Sequence, residues 1–186
     1  MVVAMAPRTR SGETRSATTT VPNGDQMDDG TQLSKASAHF LQSSRRIGLV
    51  GCVKEKASTA RPARDLYLSS LFRGRRRYVE HGCDEWWILS ALHGLVDPDE
   101  MLEPYDVALK DASRSEKREW SEAVLRAIDQ RIRPRGGDIF EMHAGADYRL
   151  FGLGDGLRDR GCSIENPTQG LNFGRQLAFY SGSRWN

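Results

Sequence analysis

Apolar residues recur along this chain in two alternating rhythms, short continuous runs and longer stretches at helical spacing. The run RIGLVGC at residues 46–52 is apolar on both faces, as a buried strand requires. From about Arg64 to His81, Leu68, Leu71, Phe72, Arg75 and Val79 line one side of a predicted helix, which Gly82 stops. DEWWILSA at 84–91 predicts a second strand, whose Trp86 and Trp87 alternate and so belong to opposite layers of the core. Gly94, Pro98 and Pro104 predict a long loop after it. Ser113 and Glu116 form a capping-box pair ahead of Trp120, Ala123, Val124, Ala127, Ile128 and Ile132 at helical spacing. Pro134 and Gly136-Gly137 end that helix. DIFEMHAG and CSIEN predict a third and a fourth strand, joined by a helix carrying Leu150, Leu153, Gly154 and Leu157. A last helix is expected from about Asn172 to Tyr180, with Phe173, Leu177 and Tyr180 on one face.

Strand and helix alternate four times. That rhythm predicts an α/β fold, a three-layer α/β/α sandwich with a roughly four-stranded, mostly parallel sheet, in one domain over residues 45–186. Residues 1–44 are too rich in Ser, Thr, Gly and Arg, and too poor in apolar groups, to offset the entropy of ordering; they read as a disordered tail. Within it, Ala36 to Gln42 has the composition for a short helix, and Met5 and Met27 are alternative starts to Met1.

Composition narrows the class. With 186 residues, 38% hydrophobic and 28% charged, the chain can build one real core. A net charge of +2 implies neither nucleic acid nor membrane by itself. Charge is blocked instead. Lys and Arg crowd residues 45–77, whereas every formally charged residue from Asp84 to Asp106 is acidic, a pattern that fits two solvated faces or a phosphate-facing surface. Cys52, Cys83 and Cys162 form no C-x-x-C pair, no secretory signal is visible, and no run has membrane-spanning length. The expectation is a reduced, cytoplasmic protein without structural zinc or other cofactor; its oligomeric state is open.

In an open α/β sheet, ligands bind beyond the carboxyl ends of the strands. The first predicted strand ends in Cys52, Lys54 and Lys56, and the second in Ser90, His93 and Gly94. The third leads to His143, Ala144, Gly145 and Tyr148, and the fourth to Asn166, Pro167, Gln169 and Gly170. Lys54 and Lys56, two apart in extended chain, face the same way and either grip an anion or pair with Glu55 and Asp65. Cys52 reads as a packed small side chain, because no base is paired with it. His93 is either a proton-transfer group or a loop-bonded structural histidine, and His143 is structural. Tyr105-Asp106 suits stacking on a planar ring or capping the next element. Arg73, Arg75 and Arg76 lie on a helix but cannot all share one face, so nucleic-acid contact is the minority reading for them.

Taken in order, C52-x-K54-x-K56, PARDLYLSSLF, ILSALHGLVDPDEMLEPYDVAL, HAGADYR and GLNFGRQLAFY resemble an uncharacterised bacterial domain family, also met in phage genomes. That family carries S/G-C-S-K-x-K, P-A-x-x-L-Y-x-S-x-x-F, L-S-A-K-H-G-L-L, P-Y-D, A-G-x-x-Y-R and G-I-G-x-Q-L, and the likeness covers about residues 46–181. It adds Gln176 to the candidate ligand-binding residues. Val53 stands where the family has Ser, and Leu92 where it has Lys. More distantly, the cysteine-lysine strand end is similar to the uracil-DNA-glycosylase-like domain of archaeal tRNA-guanine transglycosylases, whose fold is a four-stranded parallel α/β/α sandwich; the bacterial peroxide-stress family is a weaker comparison. The resemblance implies a protein acting on a nucleobase, nucleotide or nucleic-acid base, with N-glycosidic chemistry as the reaction class. The catalytic Asp and His loops of the base-excision enzymes are not matched residue by residue; from the positions of the residues themselves, Asp106 or His93 would handle protons, Lys54 and Lys56 phosphate, and Tyr105 or Tyr148 the base. The alternative is a non-catalytic nucleotide-sensing or nucleic-acid-binding module. A hydrolase with Ser90 as nucleophile has less behind it, because LSALHG lacks the glycine spacing of a nucleophile elbow.

Overall fold

The computed structural model describes residues 43–182. The expected tail lies outside the described residues except for Ser43 and Ser44, as does the helix expected at 36–42. The fold is α/β, around a five-stranded sheet. In chain order the elements are β1 (Arg46–Gly51), β2 (Arg61–Pro62), α1 (Ala63–Leu66), α2 (Ser70–Gly82), β3 (Glu85–Ser90), β4 (Gly94–Val96) and β5 (Met101–Leu102). Next come a single 3-10 turn at Leu109–Asp111, α3 (Arg114–Arg131), β6 (Ile139–His143), α4 (Ala146–Arg149), α5 (Leu153–Asp159), β7 (Ser163–Glu165) and α6 (Phe173–Ser181).

The sheet runs β4-β3-β1-β6-β7, with β1 parallel to both β3 and β6, and β6 parallel to β7. Ranked along the chain, the four parallel strands have the order 2-1-3-4, which reverses between β1 and β6. The loop expected after Ser90 is instead a tight return. Gly94 adopts φ +70° and lets β4 pair antiparallel with β3, burying Leu95 and Val96. Proline content hid this strand, because Pro98 and Pro104 both lie beyond it. The single helix expected at 64–81 is broken as well. Tyr67 is extended and bridges to Lys56, and Ser69 then caps α2 by accepting from the Phe72 N–H. Gly152, at φ +115°, likewise splits the helix expected around Leu150 into α4 and α5, leaving Leu150 exposed. The capping box at Ser113 and Glu116 forms as expected.

Alternation along the strands sorts the core into two layers. Ile47, Leu49, Leu89, Phe140 and Met142 meet Val124 and Ile128 of α3 and Leu153 and Leu157 of α5. Val50 and Ile88 meet Phe72 and Val79 of α2 on the opposite face. Trp87 joins the first layer and Trp86 the second, each half-buried rather than fully enclosed. On the last helix Tyr180 packs inward, but Phe173 is exposed, so the face expected for α6 is only partly a core face.

Two local constraints hold this arrangement. A Cβ on Gly48 would stand 2.6 Å from Val79 Cγ1, so α2 approaches β1 as closely as it does because that position has no side chain. At the amino end of the sheet, Asp138 is buried and accepts from the Arg45 N–H (3.1 Å), the Arg45 guanidinium (2.6 Å) and the Arg135 N–H (2.9 Å). Burial alone would raise the Asp138 carboxyl; these donors outweigh it and hold the group below its ordinary value of 3.8.

Gly48→Ala should therefore destabilise the fold by about 1–3 kcal/mol in urea unfolding, with part of that loss recovered when Val79→Ala is added. Asp138→Asn should cost about 2 kcal/mol at neutral pH. Because the folded carboxyl is the more acidic one, its contribution is complete above 3.8 and disappears as the pH falls through the folded value. The wild type and the variant should converge in stability in strong acid, as followed by denaturant midpoints across pH.

Candidate functional site

The carboxyl ends of β1, β3 and β6 open onto one rim, and most of the candidate residues meet there. Cys52 leaves β1 with its N–H bonded to the Leu89 carbonyl (2.9 Å), which fixes its thiol between two neighbours. Sγ lies 3.1 Å from the Tyr148 hydroxyl and accepts from the Ala91 N–H at 3.4 Å. No imidazole or carboxylate hydrogen-bonds the thiol among the described residues, so Cys52 lacks the base of an activated nucleophile.

Beside it sits a chain of hydroxyls. Ser90, fully buried at the end of β3, lies 2.7 Å from the Tyr105 hydroxyl, which in turn lies 2.8 Å from that of Tyr67. Ser90 Oγ also accepts from the His93 N–H at 2.9 Å. Trp120 donates from Nε1 to the Ser90 carbonyl (2.9 Å) and packs edge-on against Tyr148. Burial pushes the Tyr67 phenol up to about 12 and raises Tyr105 and Tyr148 as well, so all three stay neutral hydrogen-bonding groups at physiological pH. Ser90 is thereby committed to Tyr105 and His93, an arrangement unlike that of a hydrolase nucleophile.

The two lysines part company. Lys56 folds back, with Nζ 4.1 Å from the Tyr105 ring centre and donating to the Val53 carbonyl at 3.2 Å. Burial holds its ammonium below the ordinary value, against the pull of Cys52 and Asp106. Lys54 is exposed and lines a cleft of about 270 Å³ with Cys52, Val53, Asp106, Lys110 and Tyr148. Asp106 is exposed there, and its carboxylate has no hydrogen-bond partner among the described residues. His93 is exposed too, its ring edge-on to Tyr105 at 5.1 Å.

Gly145 and Gln176 line a separate pocket of about 180 Å³ beyond β6 and β7, together with Arg75 and Arg149. The helix-borne arginines are dispersed. Arg73 is exposed, Arg76 is held by Asp65 (2.6 Å) and Glu80 (2.7 Å), and Arg75 turns inward and is buried. His143 is structural, as expected. It is fully buried 2.8 Å from the Tyr180 hydroxyl and 3.1 Å from Glu141. Burial keeps its imidazole below the ordinary value, so Nε2 donates to Glu141 and Nδ1 accepts from Tyr180.

Sequence reasoning missed Tyr67, Trp120, Lys110 and Arg149 as rim residues. Tyr67 was hidden inside an expected helix and Trp120 inside a stripe of core residues. Arg149 comes directly after Tyr148 and was visible only as the last residue of the HAGADYR stretch.

Comparison with known proteins places this rim in a family. Residues 47–182 match a family of unknown function, DUF6884. The chain belongs to that family. The match runs from the second residue of β1 to the end of the described domain, so it includes every element that builds the rim. A segment of 70 residues is 37% identical to the uncharacterized protein YfjM of Bacillus subtilis (strain 168), covering 34% of this chain and 47% of that protein. The chain thus matches less than half the length of that relative. No solved structure matches. Among the described residues no helix is long and apolar enough to cross a membrane, and no three His, Cys, Asp or Glu side chains gather as a metal would require.

Tyr105→Phe should leave the buried Ser90 hydroxyl and the Tyr67 hydroxyl one partner short. A loss of about 1–2 kcal/mol in chemical denaturation is expected. A value near zero would mean that the hydroxyl chain does not hold the rim together.

Proposed function

We propose that the protein binds a nucleotide, or a base within a nucleic acid, in the cleft beyond β1, and acts on its N-glycosidic bond. The observation that carries this reading is a contrast between the two ends of one sheet. At the amino end Arg45 pairs with Glu85 and Asp138, and Arg46 with Glu141 and Glu165. At the carboxyl end Lys54, Lys110 and Asp106 face a cleft, and none of these three is in an ion pair among the described residues, although Asp147 in the same wall is paired with Lys117 (2.8 Å). Tyr148 gives that cleft an aromatic wall for a base, and about 270 Å³ is nucleoside-sized rather than drug-sized. The strand reversal between β1 and β6 is where doubly wound sheets bind such ligands. The likeness of the cysteine-lysine strand end to glycosylase-like domains supports the same chemistry.

On this reading Asp106 stabilises positive charge developing on the sugar as the bond to the base breaks, and orients the attacking water or acceptor. His93, edge-on to Tyr105 rather than among the residues lining the cleft, handles a proton on the leaving base. Lys54 and Lys110 counter phosphate charge, whereas Lys56 serves to stiffen Tyr105. A second reading, a nucleotide-sensing module without turnover, is favoured by two features. Ser90, Tyr67 and Tyr105 satisfy one another, and Val53 puts an apolar side chain on the cleft wall.

The two readings separate on a panel of nucleosides, nucleotides and short oligonucleotides assayed for free base and for binding. For the enzyme, Asp106→Asn should lower base release by about 100-fold or more while affinity changes by less than about threefold. Binding without release in the wild type would favour the module; absence of both would remove the nucleotide reading.

A further inference from the structure

We infer that the pocket beyond β6 and β7 is a phosphate subsite built on Arg75 and Arg149. Arg75 occupies the inward stripe of α2, between Phe72 and Val79, and is 7% exposed. Its Nη2 donates to Gln176 Oε1 at 3.1 Å, and its Nε has no hydrogen-bond partner. No carboxylate pairs with it among the described residues. The titratable groups around it are Tyr180, Tyr148 and His143, each neutral at physiological pH. Glu141, near His143, is already taken by Arg46 and that histidine. Arg45 also leaves its Nε unpaired, but its fork closes on two carboxylates; that of Arg75 closes on none.

Arg149 repeats the pattern from α4. Its Nη1 donates to Asn166 Oδ1 at 3.3 Å, its Nε is buried and unpaired, and it has no ion pair among the described residues. Two guanidinium groups therefore line one pocket with no Asp or Glu in its wall. A buried positive charge without a counter-ion is costly, and an oxyanion that accepts from both forks removes the cost. Gln176 is pinned for this geometry, since its Nε2 donates to the Leu171 carbonyl (2.8 Å) and only Oε1 is left to face Arg75.

The pocket's size, about 180 Å³, suits a phosphate group and a few waters but not a nucleoside. Its position supplies the rest. Ala144, Gly145 and Ala146 line it, and the next two residues, Asp147 and Tyr148, line the base-sized cleft. Five consecutive residues thus join the two cavities, and one phosphorylated ligand can occupy both. The subsite itself does not depend on the nucleotide reading; only the assignment of what carries the phosphate rests on it.

The test is calorimetry and thermal melting with inorganic phosphate, with nucleoside 5′-monophosphates and their parent nucleosides, and with a short single-stranded oligonucleotide. The wild type should melt higher in inorganic phosphate than in chloride at matched ionic strength. It should bind a 5′-monophosphate about tenfold or more tighter than the nucleoside. Arg149→Gln should erase the effect of inorganic phosphate on melting and most of the nucleotide preference, the remainder coming from Lys54 and Lys110 in the cleft, while leaving nucleoside affinity unchanged. Arg75→Lys, which keeps the charge but loses the fork, should weaken them without unfolding the chain. A preference for the oligonucleotide over the monophosphate, lost in the same variants, assigns the subsite to a strand phosphate. Phosphate binding without nucleoside binding keeps the subsite and removes the base cleft. Equal affinity for nucleoside and nucleotide with no effect of phosphate, or a phosphate effect that survives Arg149→Gln, overturns the inference.

Discussion

Strand β1 is bonded on both edges and covered on both faces, and the rest of the molecule is arranged by that enclosure. β3 and β6 use its peptide groups on either side, α2 presses on Gly48, and α3 and α5 cover Ile47 and Leu49. A strand so enclosed can present chemistry only at its ends. One end is closed by the double ion pairs of Arg45 and Arg46. The other carries Cys52 into a rim of unpaired charge and neutral phenols. Paired charge is thus gathered at one end of the element and the proposed ligand site at the other.

The face of β6 beneath α6 shows how a polar layer can sit inside such a sheet. Glu141 and His143 alternate with Phe140 and Met142, so they point away from the apolar layer. Burial would raise the Glu141 carboxyl, but hydrogen bonds from His143 and Arg46 hold it below its usual value. The chain Arg46–Glu141–His143–Tyr180 leaves each buried group satisfied and fixes α6 over the strand end. Gln176, one turn before Tyr180, is placed by the same contact.

The parallel architecture was legible because continuous apolar runs and 3.6-residue stripes are strong signals when they alternate. β4 was not, because three residues are too few to show a period and the nearby prolines favour a loop reading. The rim was legible as a set of positions just past the strands, which is why Cys52, Ser90 and Tyr148 meet as expected. The part each residue plays there was not. Lys56 lies over an aromatic ring and donates to the Val53 and Lys54 carbonyls instead of lining the cleft with Lys54, and two-residue spacing carries no information about that turn. Arg75 gave two conflicting signals, membership of an arginine run and a place on the apolar stripe. The stripe prevailed because helical position fixes direction, whereas composition does not.

The sheet stops at β4 on one side and β7 on the other, each three residues long. β7 carries Glu165, which is tied to Arg46, and exposes Ser163. Edges this short offer an incoming chain few free peptide groups, and a charged side chain on one of them discourages pairing further. Growth by strand addition is thereby disfavoured at both margins of this sheet.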